Sequence, residues 1–466
     1  MQGTKCSQII FWSGLFASCN GSFALLVPCS KLGKTCSNND RNIDSLIDWA
    51  SEGNVQFSPA VSLSTTNDQD DIGLVLKKSL KASESALSVP RSIILDSQDI
   101  LLEWQVQLEQ SIHYISSTGF DDSKLNFVLL VKVLHEYSLG EKSQWYPWLQ
   151  SLPKTFHTGI NMDAIELSCL PNFGIALAEY ERKKLEIFSE ALERISVGSS
   201  FFSGLSLKDE TIAWAFNVVQ TRSWTYEGDS LNERPIIVPL GDLLNHREPA
   251  NVFVEDKLTS DSIHFKLTQD MDLSSSSSMS ELYLSYGLKN PYRFLVIFGF
   301  FDPTMPEIFC EILFSNPSKE MIFLGCDDRS KMVYGTKDGS ISDTVWDVVL
   351  YSLLDQLPEV QKAFYSSHME GDYHMKNMIH DKYVMETSLA LRKHVMKTLS
   401  ELKNALYESD TIIEAISDKI NEEHPRLAMI HDHNMFLFKT FDKVRQRIDV
   451  RAKEELKKRK IASQDF

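Results

Sequence analysis

The chain alternates between segments whose apolar residues recur at helical spacing and shorter segments whose apolar residues alternate or cluster. Residues 43–51 place Ile43, Leu46, Ile47 and Ala50 on one face, which predicts a short helix. Around Pro90, the segments 72–76, 86–89 and 92–95 read as short strands bounded by turn-forming residues. Helical periodicity follows over 101–115 and, strongly apolar, over 126–137, ending near Gly140. Two amphipathic helices are predicted over 175–195 and 209–223. Ser206 and Asp209 form a candidate capping box for the second. Strand-like segments return at 236–244, 251–254 and 282–285, with a five-serine run at 274–278 read as an exposed hairpin. A helix is predicted to begin at Pro291. From about residue 306 helical patterns dominate, over 342–354, 385–407, 411–422 and 435–460.

This order predicts an α+β fold in two parts. Residues 41–305 would form a β-rich domain with a helical insert at about 106–225, and residues 306–466 an all-α domain. No repeat of fixed period is visible.

A chain of 466 residues with 43% apolar and 10% aromatic residues can bury a large core. The formal charge of −17 argues against direct nucleic-acid binding, which needs clustered cations. It leaves basic protein targets open. The seven cysteines show neither a disulfide framework nor metal-ligand spacing, so no metal is expected. The last helix is basic over 443–460, which reads as a solvated face.

Residues 1–39 lack Asp and Glu and carry two apolar runs, 9–17 and 23–27, split by a polar patch. This is too short for a membrane span, and no other segment is long and apolar enough. Residues 1–40 read either as a targeting leader, resembling a two-part plastid leader, or as a disordered terminus. Localisation stays open between an organelle and the cytoplasm.

Two segments are candidates for chemistry. In 238–246 an apolar run ends in Asp242, Asn245 and His246, polar groups that must satisfy one another, the backbone or a ligand. In 281–290 an alternating strand ends in Tyr286-Gly287. Such a tyrosine is either a packing anchor or a phenol placed against a substrate.

Their order and spacing resemble the SET-domain protein methyltransferases, in the subgroup of the Rubisco large-subunit lysine methyltransferase and the actin-histidine methyltransferase. The residues carrying the resemblance are Asp242-Leu243-Leu244-Asn245-His246, Leu284-Ser285-Tyr286-Gly287 and Gly299-Phe300. Thr221-Arg222-Ser223, Ser143 to Pro153, Leu46 to Ala50 and Val89-Pro90 with Ile93-Ile94 extend it across roughly residues 43–460. There are three departures. The cofactor loop reads Asp70-Asp71-Ile72-Gly73-Leu74, with a single glycine. Ser280-Glu281 replaces a Gly-Glu turn, and Phe298 stands where Rubisco-type enzymes have tyrosine.

The resemblance implies S-adenosylmethionine as cofactor and a protein as substrate. The reaction expected is N-methylation of lysine on a non-histone protein by a monomeric enzyme. Histidine methylation and a non-catalytic SET-like scaffold are the alternatives. It further implies roles for individual residues. Tyr286 would be catalytic, beside the transferred methyl. Asn245 and His246 would hold the cofactor, Arg222 would pair with its carboxylate, and Asp242 would brace the loop. The backbone at Gly73 and Leu74 would complete the cofactor floor. Phe298 and Tyr283 would line the substrate tunnel, with a plain core role as the alternative for Tyr283.

Overall fold

The computed structural model describes residues 43–65, 72–195, 201–202, 205, 207–226, 234–257, 260–273, 279–287, 290–310, 317–328, 330–415 and 424–462. Residues 1–42, including the stretch read as a leader or a disordered terminus, Asp70, Asp71, Ser206 and the five-serine run lie outside them.

Helix α1 (Ile43–Glu52) buries Leu46 and Ala50, as its spacing predicts, but leaves Ile47, expected on the same face, exposed. It leads into β1 (Gln56–Phe57), β2 (Val61–Thr65), β3 (Ile72–Leu76) and β4 (Ser85–Pro90). After Pro90 the sequence predicts another strand. The chain instead forms a 3-10 turn over Arg91–Ile93 and then β5 (Leu95–Asp96), because Arg91 is drawn to Asp256, Ser260 and Asp261. Its guanidinium bonds Asp256 and the Ser260 carbonyl, and its backbone N–H donates to the Asp261 carbonyl.

Seven helices then run from α2 (Ser97–Glu103) to α8 (Asp209–Arg222), between β5 and β6 (Ser223–Tyr226). The single helix predicted over 101–115 is two, α2 and α3 (Gln105–Ser117), broken at Trp104. Between α3 and α8 lie α4 (Lys124–Leu139), α5 (Tyr146–Ser151), α6 (Ala164–Ser168) and α7 (Asn172–Leu192). The central member is α4, buried on nearly every side from Phe127 to Leu134. It stops at Gly140, whose φ of +54° a side chain would resist. Lys208 occupies the N-cap of α8 without a side-chain bond.

The chain returns through β7 (Arg234–Ile237), β8 (Asn245–His246), β9 (Val252–Glu255), β10 (Ser262–Leu267), β11 (Ser280–Glu281) and β12 (Tyr283–Leu284). The sequence reads one strand over 236–244. The structure ends β7 at Ile237 and turns sharply through Leu240, a buried residue at φ +72°. Gly241 follows because a Cβ there would lie 2.3 Å from the Phe265 ring. Strand β10 escaped the sequence reading, although Ile263, Phe265 and Leu267 alternate inward.

The largest sheet has the order β1-β4-β10-β9-β12-β8. In it β12 runs parallel to β8, with Tyr283 opposite Asn245 and Leu284 opposite His246. Two further sheets, β11-β3-β2 and β5-β7-β6, close around the same core.

Beyond β12 come the short α9 (Pro291–Arg293) and a wide π-turn over Phe294–Phe298, closed by Gly299 at φ +79°. A strand pair, β13 (Glu307–Phe309) with β14 (Val333–Gly335), stands ahead of the helices of the C-terminal region. Those helices are α10 (Lys319–Phe323), α11 (Asp343–Leu353), α12 (Pro358–Glu370), α13 (Tyr373–Ala415) and α14 (Leu427–Ala462). Leu391, Val395, Leu399 and Leu402 of α13 share a buried cluster with Leu437, Phe441, Val444 and Ile448 of α14. Polar contacts fasten α14 and its approach to the insert. His424 meets Asp163 at 2.6 Å, Arg426 meets Glu166 at 3.2 Å, and Asn434 donates to the Cys169 carbonyl at 2.7 Å. On the basic end of α14, Arg445 pairs with Asp442 and Asp449, and Arg451 lies over the Trp346 ring at 4.1 Å. No helix of the described residues is long and apolar enough to cross a membrane.

Candidate active site

The parallel pairing of β8 and β12 gathers Asn245, His246, Tyr283 and Tyr286 into one cluster. Beyond β12 the chain leaves the strand, and the Tyr286 backbone N–H donates to His246 Nδ1 at 3.1 Å. The Tyr286 hydroxyl donates to the Leu244 carbonyl at 3.0 Å. That bond uses the phenolic hydrogen and leaves the oxygen as an acceptor.

His246 turns its ring inward. Its side chain is 1% exposed and stacks on Phe294 at 4.6 Å. Burial pushes its pKa down, so the ring is neutral near pH 7. Because Nδ1 accepts from Tyr286, the remaining proton belongs on Nε2.

Glu281, noted in the sequence only as part of a departure from the family pattern and given no site role, joins two residues that were given one. Its Oε1 accepts from Asn245 Nδ2 and its Oε2 from the Tyr283 hydroxyl, both at 2.8 Å. Burial and the Glu281 contact raise the Tyr283 pKa, and Arg247 lies over the Tyr283 ring at 5.3 Å. The Tyr283 phenol is therefore committed to Glu281.

Asp242 is buried, and its carboxylate accepts from Trp148 Nε1 at 3.2 Å. Its carbonyl accepts from Arg222 at 2.7 Å. Asp242 thus ties the loop before β8 to helices α5 and α8. The Nε of Arg222 is buried without a hydrogen-bond partner among the described residues.

Phe298 packs at 5.4 Å from Tyr286, and Phe300 lies 6.2 Å from both rings. The π-turn sets Phe294 against His246 and Phe298 against Tyr286, with Phe300 just beyond it near both, a use of π-geometry common at functional sites. Gly73 and Leu74 lie within β3, paired with Ser64 and Leu63, and Leu74 is fully buried. The Leu74 carbonyl accepts from the Leu282 N–H at 2.8 Å, next to Glu281. Asp302 was also missed: its carboxylate faces His246 Nε2 at 3.8 Å. Glu281 is visible as the acidic residue of a strand ending in Tyr-Gly, whereas no local pattern marks Asp302.

No family model matches the chain. Individual proteins do. It is 24% identical over 279 residues to the N-lysine methyltransferase setd6 of Xenopus tropicalis, covering 57% of this chain and 58% of that protein. It is 21% identical over 262 residues to the actin-histidine N-methyltransferase of Mus musculus, covering 55% and 42%. The chain thus spans about half the length of these curated relatives. Among solved structures, the SET domain of LSMT bound to lysine and AdoHcy superposes with a TM-score of 0.59 at 14% identity, over 89% of this chain and 92% of that one. The chain has the SET-domain fold, with a helical C-terminal region, and its homologues are SET-domain protein methyltransferases.

Proposed function

We propose that this protein transfers a methyl group from S-adenosylmethionine to a lysine side chain of another protein. The observation that carries this reading is the β8–β12 pairing, which sets Tyr286 against the Leu244-Asn245-His246 segment with its hydroxyl anchored. The relatives that support lysine are setd6 and LSMT, by their names and bound ligand.

The residues present fit the cofactor. The buried Nε of Arg222, which has no hydrogen-bond partner among the described residues, suits a ligand carboxylate, a natural partner for a guanidinium fork. Asn245, fixed by Glu281, and the β8 backbone would hold the rest, with the β3 backbone at Gly73 and Leu74 alongside. When bound, the sulfonium supplies an electrophilic methyl. The chain's own residues then have three tasks. They align the incoming nitrogen, keep it neutral and exclude water. The Tyr286 oxygen, its hydrogen engaged by Leu244, accepts from the amine and orients it. Desolvation beside Phe298 and Phe300 disfavours the charged ammonium that a free lysine carries in water. Asp242 takes no part in the transfer and holds Arg222 in place.

The test is transfer of radiolabelled methyl to proteins of a cell lysate, followed by hydrolysis and identification of the methylated amino acid. Methyl-lysine is expected, and Tyr286→Phe should lower the rate about a hundredfold. Methyl-histidine would instead place this protein with the actin-modifying relative. An intact protein that neither transfers methyl nor binds S-adenosylmethionine would overturn the enzyme reading in favour of a scaffold.

A further inference from the structure

Asp302 lies in the turn after Gly299-Phe300-Phe301, outside every segment that the sequence marks for chemistry. Its Oδ1 accepts twice from Thr304, from the backbone N–H at 2.8 Å and from the hydroxyl at 2.6 Å. That grip fixes the carboxylate and aims the other oxygen inward. Oδ2 is buried, has no hydrogen-bond partner among the described residues, and lies 3.8 Å from His246 Nε2. His246 Nε2 is likewise buried without a hydrogen-bond partner among the described residues. The two side chains are 10% and 1% exposed, so their electrostatic interaction is weakly screened by bulk solvent. On its other side the imidazole receives the Tyr286 N–H.

We infer that Asp302 is a positioning residue for the methyl transfer: it selects the Nε2–H tautomer of His246, which leaves Nδ1 free to hold the Tyr286 backbone. The inference rests on the proposed reaction for its consequence, and on geometry alone for its first step. A carboxylate is acceptor-only, and although 3.8 Å is longer than a hydrogen bond, its charge favours hydrogen on the ring nitrogen that faces it. In neutral imidazole the other nitrogen is then an acceptor, which the Tyr286 N–H requires. With the opposite tautomer, two N–H groups would face each other at Nδ1 while Nε2 and the carboxylate would meet as two acceptors. Asp302, Thr304, His246, Tyr286 and Leu244 thus form a relay of fixed donors and acceptors ending at the phenol.

Asp302→Asn is the discriminating change, because it preserves shape. The Thr304 N–H still demands oxygen on its side, so the new amide N–H group faces Nε2–H and donor meets donor. With histidine labelled in nitrogen-15, long-range proton–nitrogen correlation reads which ring nitrogen bears hydrogen. The His246 signal is assigned by its loss in His246→Gln. Wild type should show hydrogen on Nε2, and Tyr286 should show a slowly exchanging amide. Asp302→Asn should shift the ring toward the Nδ1–H form and speed that exchange. Its kcat should fall about tenfold or more, with KM for S-adenosylmethionine within about twofold. Wild type with hydrogen on Nδ1 overturns the inference, even where the variant does not fold. So does an Asp302→Asn protein with an unchanged tautomer and kcat. A wild type with the Nε2–H form but no methyl transfer would overturn the proposed reaction, and with it the catalytic consequence, while leaving the tautomer assignment standing.

Discussion

Gly299 and Gly371 offer a matched comparison of what a glycine does beside the site. Both close helical segments in the left-handed region, at φ 79°, ψ 22° and φ 73°, ψ 21° respectively. Alanine in that region costs about 1–2 kcal/mol at either position. Around Gly371 an added Cβ meets nothing within 4 Å, so the backbone term is the whole effect. At Gly299 the same Cβ would lie 2.9 Å from the His157 carbonyl carbon and 3.0 Å from its oxygen. These are backbone atoms and do not rotate away. The His157 segment is also held from its own side, since a Cβ on Gly159 would lie 2.5 Å from Val296 Cγ1 of the π-turn. Overpacking of this kind adds about 1–3 kcal/mol. Gly299→Ala should therefore be destabilised by about 2–5 kcal/mol and Gly371→Ala by about 1–2 kcal/mol. Urea unfolding followed by circular dichroism measures both. Methyl transfer gives the second readout, because the strain falls on the turn carrying Phe298 and Phe300. It should drop more than about tenfold in Gly299→Ala and stay within about twofold in Gly371→Ala. Equal destabilisation of the two variants would refute the argument that contact with His157, and not φ alone, makes Gly299 necessary.

Glu281→Ala removes the acceptor shared by Asn245 and Tyr283. Water replaces part of the loss at this half-buried position, so about 1–2 kcal/mol is expected, a roughly five- to thirtyfold weaker affinity for S-adenosylmethionine by calorimetry. Binding unchanged within twofold would show that Glu281 does not set the Asn245 amide. The fully buried His433 has its pKa lowered by desolvation to about 4. The unfolded chain binds this proton near pH 6.5 and the folded chain only near pH 4, so stability is lost as pH falls through that window, on the order of 2–3 kcal/mol. His394, also lowered to about 4 by burial, adds to the same slope. Denaturation midpoints between about pH 4 and pH 7 should fall less steeply in His433→Gln than in wild type.

The sequence made the helices legible where one face is apolar, as in α1 and α7, and where a glycine must end the helix, as after α4. It misread the places where tertiary bonds outweigh local preference. Residues 91–93 have strand-like neighbours, but the bonds from Arg91 to Asp256 and Ser260 curl them into a turn. Residues 101–115 look continuous, but the break at Trp104 lets its ring lie over the buried Lys132 at 4.9 Å. At the site, the motif residues are local in sequence and therefore readable: Asn245, His246 and Tyr286 come together through one strand pairing. What supports them is not local. Asp242 depends on Trp148, ninety-four positions earlier in the chain, and His246 depends on Asp302, which no spacing rule connects to it. The same distinction explains why Phe298, read as a missing hydroxyl in a tunnel, is better understood with its neighbours. It is one of two rings, with Phe300 just beyond the π-turn, that pack beside Tyr286, and Gly299 stands between them. A substitution there alters the setting of the tyrosine as well as the polarity of the wall. Phe298→Tyr therefore tests more than one hydroxyl, and its effect is interpretable only beside that of Gly299→Ala.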